Sequence, residues 1–135
     1  MSSTAIGKKG EEQAAVALES AGIKIIARNY RSKYGEIDII AIEPQTKLNT
    51  CEGKEHLPNP DMEKIIFVEV KNWSAFGYDD LQYGIDIRKQ RKIIKTAKYF
   101  LSENRKYSNM TIRFDVIFVK NNSITHLASA FTESV

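Results

Sequence analysis

Apolar and polar positions along the chain alternate with two different periods, and these mark out seven elements. Residues 4–21 carry apolar and small residues at helical spacing. Gly7, Glu11, Ala14, Leu18 and Ala21 share one face of this first helix, while Glu12 and Glu19 fall off it. Ser3 or Thr4 suits the start of the helix as a cap, and Gly22 suits its end. Residues 23–30, 35–43, 64–72, 111–120 and 123–131 are rich in β-branched residues and read as strands, the last two joined by a tight turn at Asn121-Asn122. Residues 86–104 have an apolar arc of Ile93, Ile94, Ala97, Phe100 and Leu101 and read as a second helix. All three prolines fall in the polar stretch 44–63, which with 74–84 reads as loop. A helix between the third and fourth strands permits a parallel crossover. The expected architecture is therefore α/β, a mixed sheet with helices packed on it, in one domain over 1–135 with an extended loop at 44–63.

Composition narrows the picture a little. The chain has 135 residues, 42% hydrophobic and 27% charged, which is ordinary for a globular protein with one core. No apolar run approaches the roughly 20 residues of a membrane span, and the first residues lack the apolar stretch of a signal peptide. A lone cysteine, Cys51, excludes an internal disulfide and suits a reducing cytoplasm. His56 and His126 are too few for a structural zinc site, which takes about four ligands.

The net charge is only +3, but residues 88–98 hold six basic residues and no acidic one. Arg88, Arg91, Lys95 and Lys98 form a stripe away from the apolar arc. Such a face either stays solvated or meets a polyanion.

Strand parity places the candidate chemistry. In 35–43, Glu36, Asp38 and Ile40 share one face, and Ile37, Ile39 and Ala41 the other. In 64–72, Phe67, Glu69 and Lys71 share a face, and Ile66, Val68 and Val70 the other. The charges lie at the start of one strand and the end of the next. Antiparallel pairing brings those ends together, with Asp38 beside Glu69 and Glu36 beside Lys71 at about 5 Å. Two carboxylates so placed repel and need a positive partner, Lys71 or a bound Mg²⁺. The alternative is a cross-strand ladder of salt bridges on a solvated face. Glu11 is the carboxylate of the first helix that faces the sheet, near a cation or bonded to backbone amides. Gln90 points into the arc of the second helix, either holding a phosphate or water there or satisfied as a core amide.

In order along the chain stand Gly7, Gly10-Glu11 and Ala14; Gly22; Asn29 and Arg31; Gly35-Glu36-Ile37-Asp38; Phe67-Val68-Glu69-Val70-Lys71; Gly77; Lys89-Gln90-Arg91; Arg113-Phe114-Asp115-Val116; and His126 with Ala130-Phe131. This ordered set resembles the YraN family of small bacterial proteins, placed with the PD-(D/E)XK, restriction-endonuclease-like nucleases. The resemblance implies an α-β-β-β-α-β core with a mixed central sheet flanked by helices. It implies Mg²⁺ or Mn²⁺ held by Asp38, Glu69 and the Val70 carbonyl, with Lys71 orienting the attacking water. Glu11 and Gln90 resemble auxiliary polar residues of related nucleases. The implied reaction is hydrolysis of a phosphodiester, DNA being the favoured partner, branched or single-stranded. Arg31, Arg88, Lys89, Arg91, Lys92, Lys95 and Lys98 are then the candidate phosphate contacts. No small-molecule cofactor and no membrane is implied, and cutting a four-way junction would require a homodimer. Two departures stand out: Trp73 replaces the basic residue usual two positions after the lysine, and the 44–63 connection is long. Trp73, Phe76 and Tyr78 either stack on bases or pack. Two other readings stay open: a non-catalytic nucleic-acid-binding module on the same fold, and an assembly subunit docking through 44–63.

Overall fold

The β-branched runs pair into one five-stranded sheet, and each helix covers one of its faces. The computed structural model describes residues 3–44, 63–72 and 86–133, with side chains from Lys9 onward. The elements are α1 (Ser3–Ser20), β1 (Lys24–Ser32), β2 (Gly35–Glu43), β3 (Lys64–Asn72), α2 (Ile87–Glu103), β4 (Thr111–Lys120) and β5 (Ser123–Phe131). A single 3-10 turn, Arg105–Tyr107, follows α2 and lies outside the expected pattern. The expected loops 44–63 and 74–84 fall largely outside the described residues. So do Trp73, Phe76, Gly77 and Tyr78, and the side chains of Ser3, Thr4 and Gly7.

The strands lie in the order β1-β2-β3-β4-β5. All pairs are antiparallel except β3 with β4, which run parallel, with Lys64 opposite Thr111 and Asn72 opposite Val119. The intervening α2 makes this connection possible, since parallel neighbours need a long crossover. This is the α-β-β-β-α-β core of the restriction-endonuclease-like fold, with β5 added at the edge of a mixed sheet.

Helix ends follow local rules. Gly22 adopts φ +84°, a conformation that costs glycine little. The amides of Gly22 and Ile23 donate to the carbonyls of Glu19 and Leu18, both at 3.0 Å, which closes α1 with a Schellman motif. Ile23 and Leu18 are both buried, completing that motif's apolar contact. The chain turns here, so Ala21 is exposed and does not extend the buried face expected of it. At the start of α2, Asp86 is the cap rather than the first helical residue, its carboxylate accepting from the Lys89 amide at 2.9 Å.

Burial divides into two clusters. On one side Ala14, Ala15 and Leu18 of α1 pack on Ile39, Ile66, Val68 and Ile117. On the other, Ile93, Ala97 and Phe100 of α2 pack on Ile40, Phe67, Phe114 and Phe118. Each fully buried Leu, Ile or Phe contributes about 1.5–3 kcal/mol relative to exposure. Gly10 brings the start of α1 against the end of β3: a Cβ added there would sit 2.4 Å from Asn72 Oδ1.

Parity fails in β2 at the candidate site. Ile39 and Ala41 pack on the α1 side as expected, but Ile37 packs on the α2 side with Ile40. Strict alternation would keep Ile37 and Ile39 on one face. The break falls at Asp38, where β2 also leaves β3: their ladder stops at Ile39–Val68, while β2 stays paired with β1 down to Gly35.

Candidate metal centre

The divergence of β2 and β3 leaves the end of β3 paired with β4 but unpaired on its β2 side, and Asp38 supplies a partner there. Val70 N–H donates to Asp38 Oδ2 at 2.7 Å. Continuing the β2–β3 register by one residue sets Asp38 opposite Glu69, and the two carboxylates do interact. Burial, then the charge of Glu69, push the Asp38 carboxyl up to about 7, against the opposing pull of the Val70 hydrogen bond. Glu69 is itself buried, at 6% exposure.

The cation that balances Glu69 is Lys89, not Lys71. Lys89 Nζ lies 2.6 Å from Glu69 Oε1. Burial alone would lower the Lys89 pKa, but hydrogen bonding and attraction to Glu69, reinforced by Asp38, raise it. Lys71 stands half-buried near the end of β3, and its charge is felt by Asp86 at the head of α2. The expected Glu36–Lys71 neighbourhood does not form, because the β2–β3 ladder ends before it. Glu36 instead pairs with Arg31 across β1–β2 at 3.3 Å.

Glu11 reaches the same end of the sheet from α1. Its pKa is raised by burial and by Asp38, and an Asn29 side-chain hydrogen bond works against that rise. Asn29 sits at φ +53°, a left-handed conformation that asparagine tolerates, opposite the point where β2 turns at Asp38. Glu12, off the face, pairs with Arg28 at 3.0 Å. Gln90 is half-buried in the first turn of α2, beside Lys89.

Asp38, Glu69 and the Val70 carbonyl are hard oxygen donors. Mg²⁺ suits such a set, since it needs only one or two carboxylates and fills its other positions with water and substrate phosphate. Among the described residues no three His, Cys, Asp or Glu side chains converge at metal-binding spacing, so Glu11 is a neighbour of the pair rather than a third ligand. The donor set therefore fits a lightly held divalent ion.

The basic face divides. Arg88, Arg91, Lys92 and Lys95 are exposed and hold no ion pair among the described residues. Lys98 is taken up by Glu133, Arg31 by Glu36 and Lys89 by Glu69. Lys89 was expected among the phosphate contacts, and its spacing explains the difference: it stands four and seven residues before the buried Ile93 and Thr96, so it shares their arc.

A second polar cluster gathers Arg113, Asp115 and His126, residues of the ordered set to which the sequence assigns no role. Asp115 is fully buried, accepts two bonds from Arg113 at 2.9 Å, one from the Ser129 amide at 3.0 Å, and lies 2.7 Å from His126 Nε2. Arg113 also meets Glu43 at 2.8 Å. Burial would raise the Asp115 carboxyl, but these partners, His126 foremost, hold it below its ordinary value. Ser129 sits at φ +53° where the β4–β5 register shifts, so Asp115 pins a bulge in β5.

The mixed sheet, its flanking helices and the crossover through α2 are those of a restriction-endonuclease-like fold. A family model described as "Uncharacterised protein family UPF0102" matches residues 10–119. A UPF0102 protein of Persephonella marina is 38% identical over 93% of this chain and 91% of its own length. Others from Treponema denticola and a Sulfurihydrogenibium species are each 39% identical, covering 93% and 98% of this chain and 94% and 98% of their own. The chain belongs to family UPF0102, the YraN family.

Proposed function

We propose that this protein is a divalent-metal-dependent nuclease that hydrolyses phosphodiester bonds of DNA, with branched or single-stranded DNA as the favoured substrates. The observation that carries the reading is the meeting of Asp38 and Glu69 where β2 and β3 part, a pair in which burial first, and then the charge of Glu69, push the Asp38 carboxyl up to about 7. A carboxylate pair with excess negative charge, open to one end of a sheet, is suited to a hard divalent cation. When bound, Mg²⁺ or Mn²⁺ would stabilise the charge that develops on the phosphate and lower the pKa of water. Asp38, Glu69 and the Val70 carbonyl would hold it. Asp38 is fixed for this by the Val70 amide. Glu11 adds negative charge beside the pair, and Lys71 and Gln90 stand at the same end for the substrate and the attacking water. Arg88, Arg91, Lys92 and Lys95 provide an exposed basic face on α2 for the nucleic-acid backbone. Action on nucleic acid in a reducing cytoplasm suits a chain with one cysteine.

The test is a panel of duplex, single-stranded, flapped and four-way DNA with Mg²⁺ or Mn²⁺. Cleavage that is lost in Asp38→Asn supports the reading, and cleavage undiminished by that change, or none on any substrate, refutes it. One observation favours a second reading, a binding module without turnover: Glu69 is already neutralised by Lys89. That reading expects salt-sensitive DNA binding that survives Glu69→Ala.

A further inference from the structure

Lys89 occupies the place of a cation at the candidate metal centre. Its ammonium is 2.6 Å from Glu69 Oε1, an oxygen that the metal reading needs as a ligand. An ammonium and a divalent ion cannot share that oxygen without repelling each other at close range, in a site where Glu69 is only 6% exposed. Geometry also gives the lysine a way out. Its side chain is 46% exposed, on the first turn of α2, and the four-carbon stem is flexible. Among the described residues the ion pair on Glu69 is made by Lys89, and Lys71 does not duplicate it. Around Lys89 stand three acidic groups that attract it, Glu69, Asp38 and Glu36, and Asp38 and Glu69 repel each other whenever no cation is between them.

We infer that Lys89 is a built-in competitor for the divalent ion, an ammonium that must leave Glu69 before the ion enters and so sets the metal threshold of the site. This rests on the metal-centre reading above. The lysine offsets the charge of Glu69 in the absence of metal and yields its place on loading, so the site fills only when the divalent ion is abundant enough to displace it. Lys89 is thus a positioning residue acting through Glu69.

Binding of Mn²⁺ alone, measured by titration calorimetry at pH 8 without DNA, tests this. Lys89→Gln should bind Mn²⁺ about tenfold more tightly than the unmodified protein, because a charge-assisted hydrogen bond no longer has to be broken. Lys89→Met, which keeps most of the apolar stem, should do the same, and Lys89→Arg should stay near the original affinity. Equal or weaker binding by both neutral variants, with binding by the unmodified protein still abolished in Asp38→Asn, overturns the competitor role and leaves the metal centre standing. No Asp38-dependent binding in any variant removes the metal centre and the competitor together.

Discussion

Asp38 Oδ2 lies 2.7 Å from the amide nitrogen of Val70, so a side chain takes up the hydrogen bond that a strand would otherwise make. One residue thereby does two things: it closes the open end of β3 and it presents a carboxylate beside Glu69. Replacing Asp38 with Asn keeps an acceptor for Val70, whereas Ala leaves the amide without that partner. Urea unfolding at pH 8 should therefore show Asp38→Ala less stable than Asp38→Asn by about 1–3 kcal/mol. Both should lose Mn²⁺ binding.

The raised Asp38 carboxyl carries a sign. Its folded value of about 7 lies above the ordinary 3.8, so between those values the folded state holds a proton that the unfolded state has released. Stability from this group is present at low pH and declines as pH rises through about 7, being flat above it. Asp38→Asn should flatten that part of the stability curve, measured by thermal unfolding across pH 4 to 8 without metal. Mn²⁺ affinity should rise over the same interval, since proton and metal compete for one carboxylate.

Asp115 behaves in the opposite way. Its lowered pKa contributes stability above its unfolded value that is lost as pH falls towards the folded one. Asp115→Ala leaves Arg113 with Glu43 as its remaining ion-pair partner and removes the acceptor of the Ser129 amide, and should destabilise the protein by about 1–3 kcal/mol. Hydrogen exchange at Ser129 should accelerate more than exchange at the centre of β4.

The exposed face of α2 is open to a direct measurement. The double change Arg91→Ala with Lys95→Ala should leave the melting temperature within about a degree or two, as surface changes do. It should weaken DNA binding and reduce the slope of log affinity against log salt by about 2. An unchanged slope would separate this face from nucleic acid.

Much of the architecture was legible because local signals and global fold agree. The run from Gly35 to Glu43 and that from Lys64 to Asn72 begin and end where their apolar alternation does. Gly22 marks the end of α1 because only a left-handed residue closes the turn there. Legibility fails where tertiary contacts override period. Parity could not announce that β2 turns at Asp38, since the turn depends on where β3 ceases to pair. Lys89 looked like one more charge in a basic run, although its spacing to Ile93 already placed it on the buried arc. The Arg113–Asp115–His126–Glu43 cluster shows only in part: Arg113 and Asp115 share a face two residues apart on β4, but nothing local links them to His126 on β5 or Glu43 on β2.

The parallel pairing of β3 with β4 has a consequence for how the molecule assembles. β1 with β2, and β4 with β5, are hairpins whose halves meet across turns of a few residues. The central pair joins Lys64 to Thr111, positions far apart along the chain with α2 between them. Closing that long loop costs entropy before any contact offsets it. The two hairpins should therefore form first, and β4 should dock fully on β3 only after the folding transition state. Ile66→Val and Ile117→Val, at that seam, should speed unfolding far more than they slow folding. The pairing that holds the middle of the sheet together is then the last to form as the chain folds.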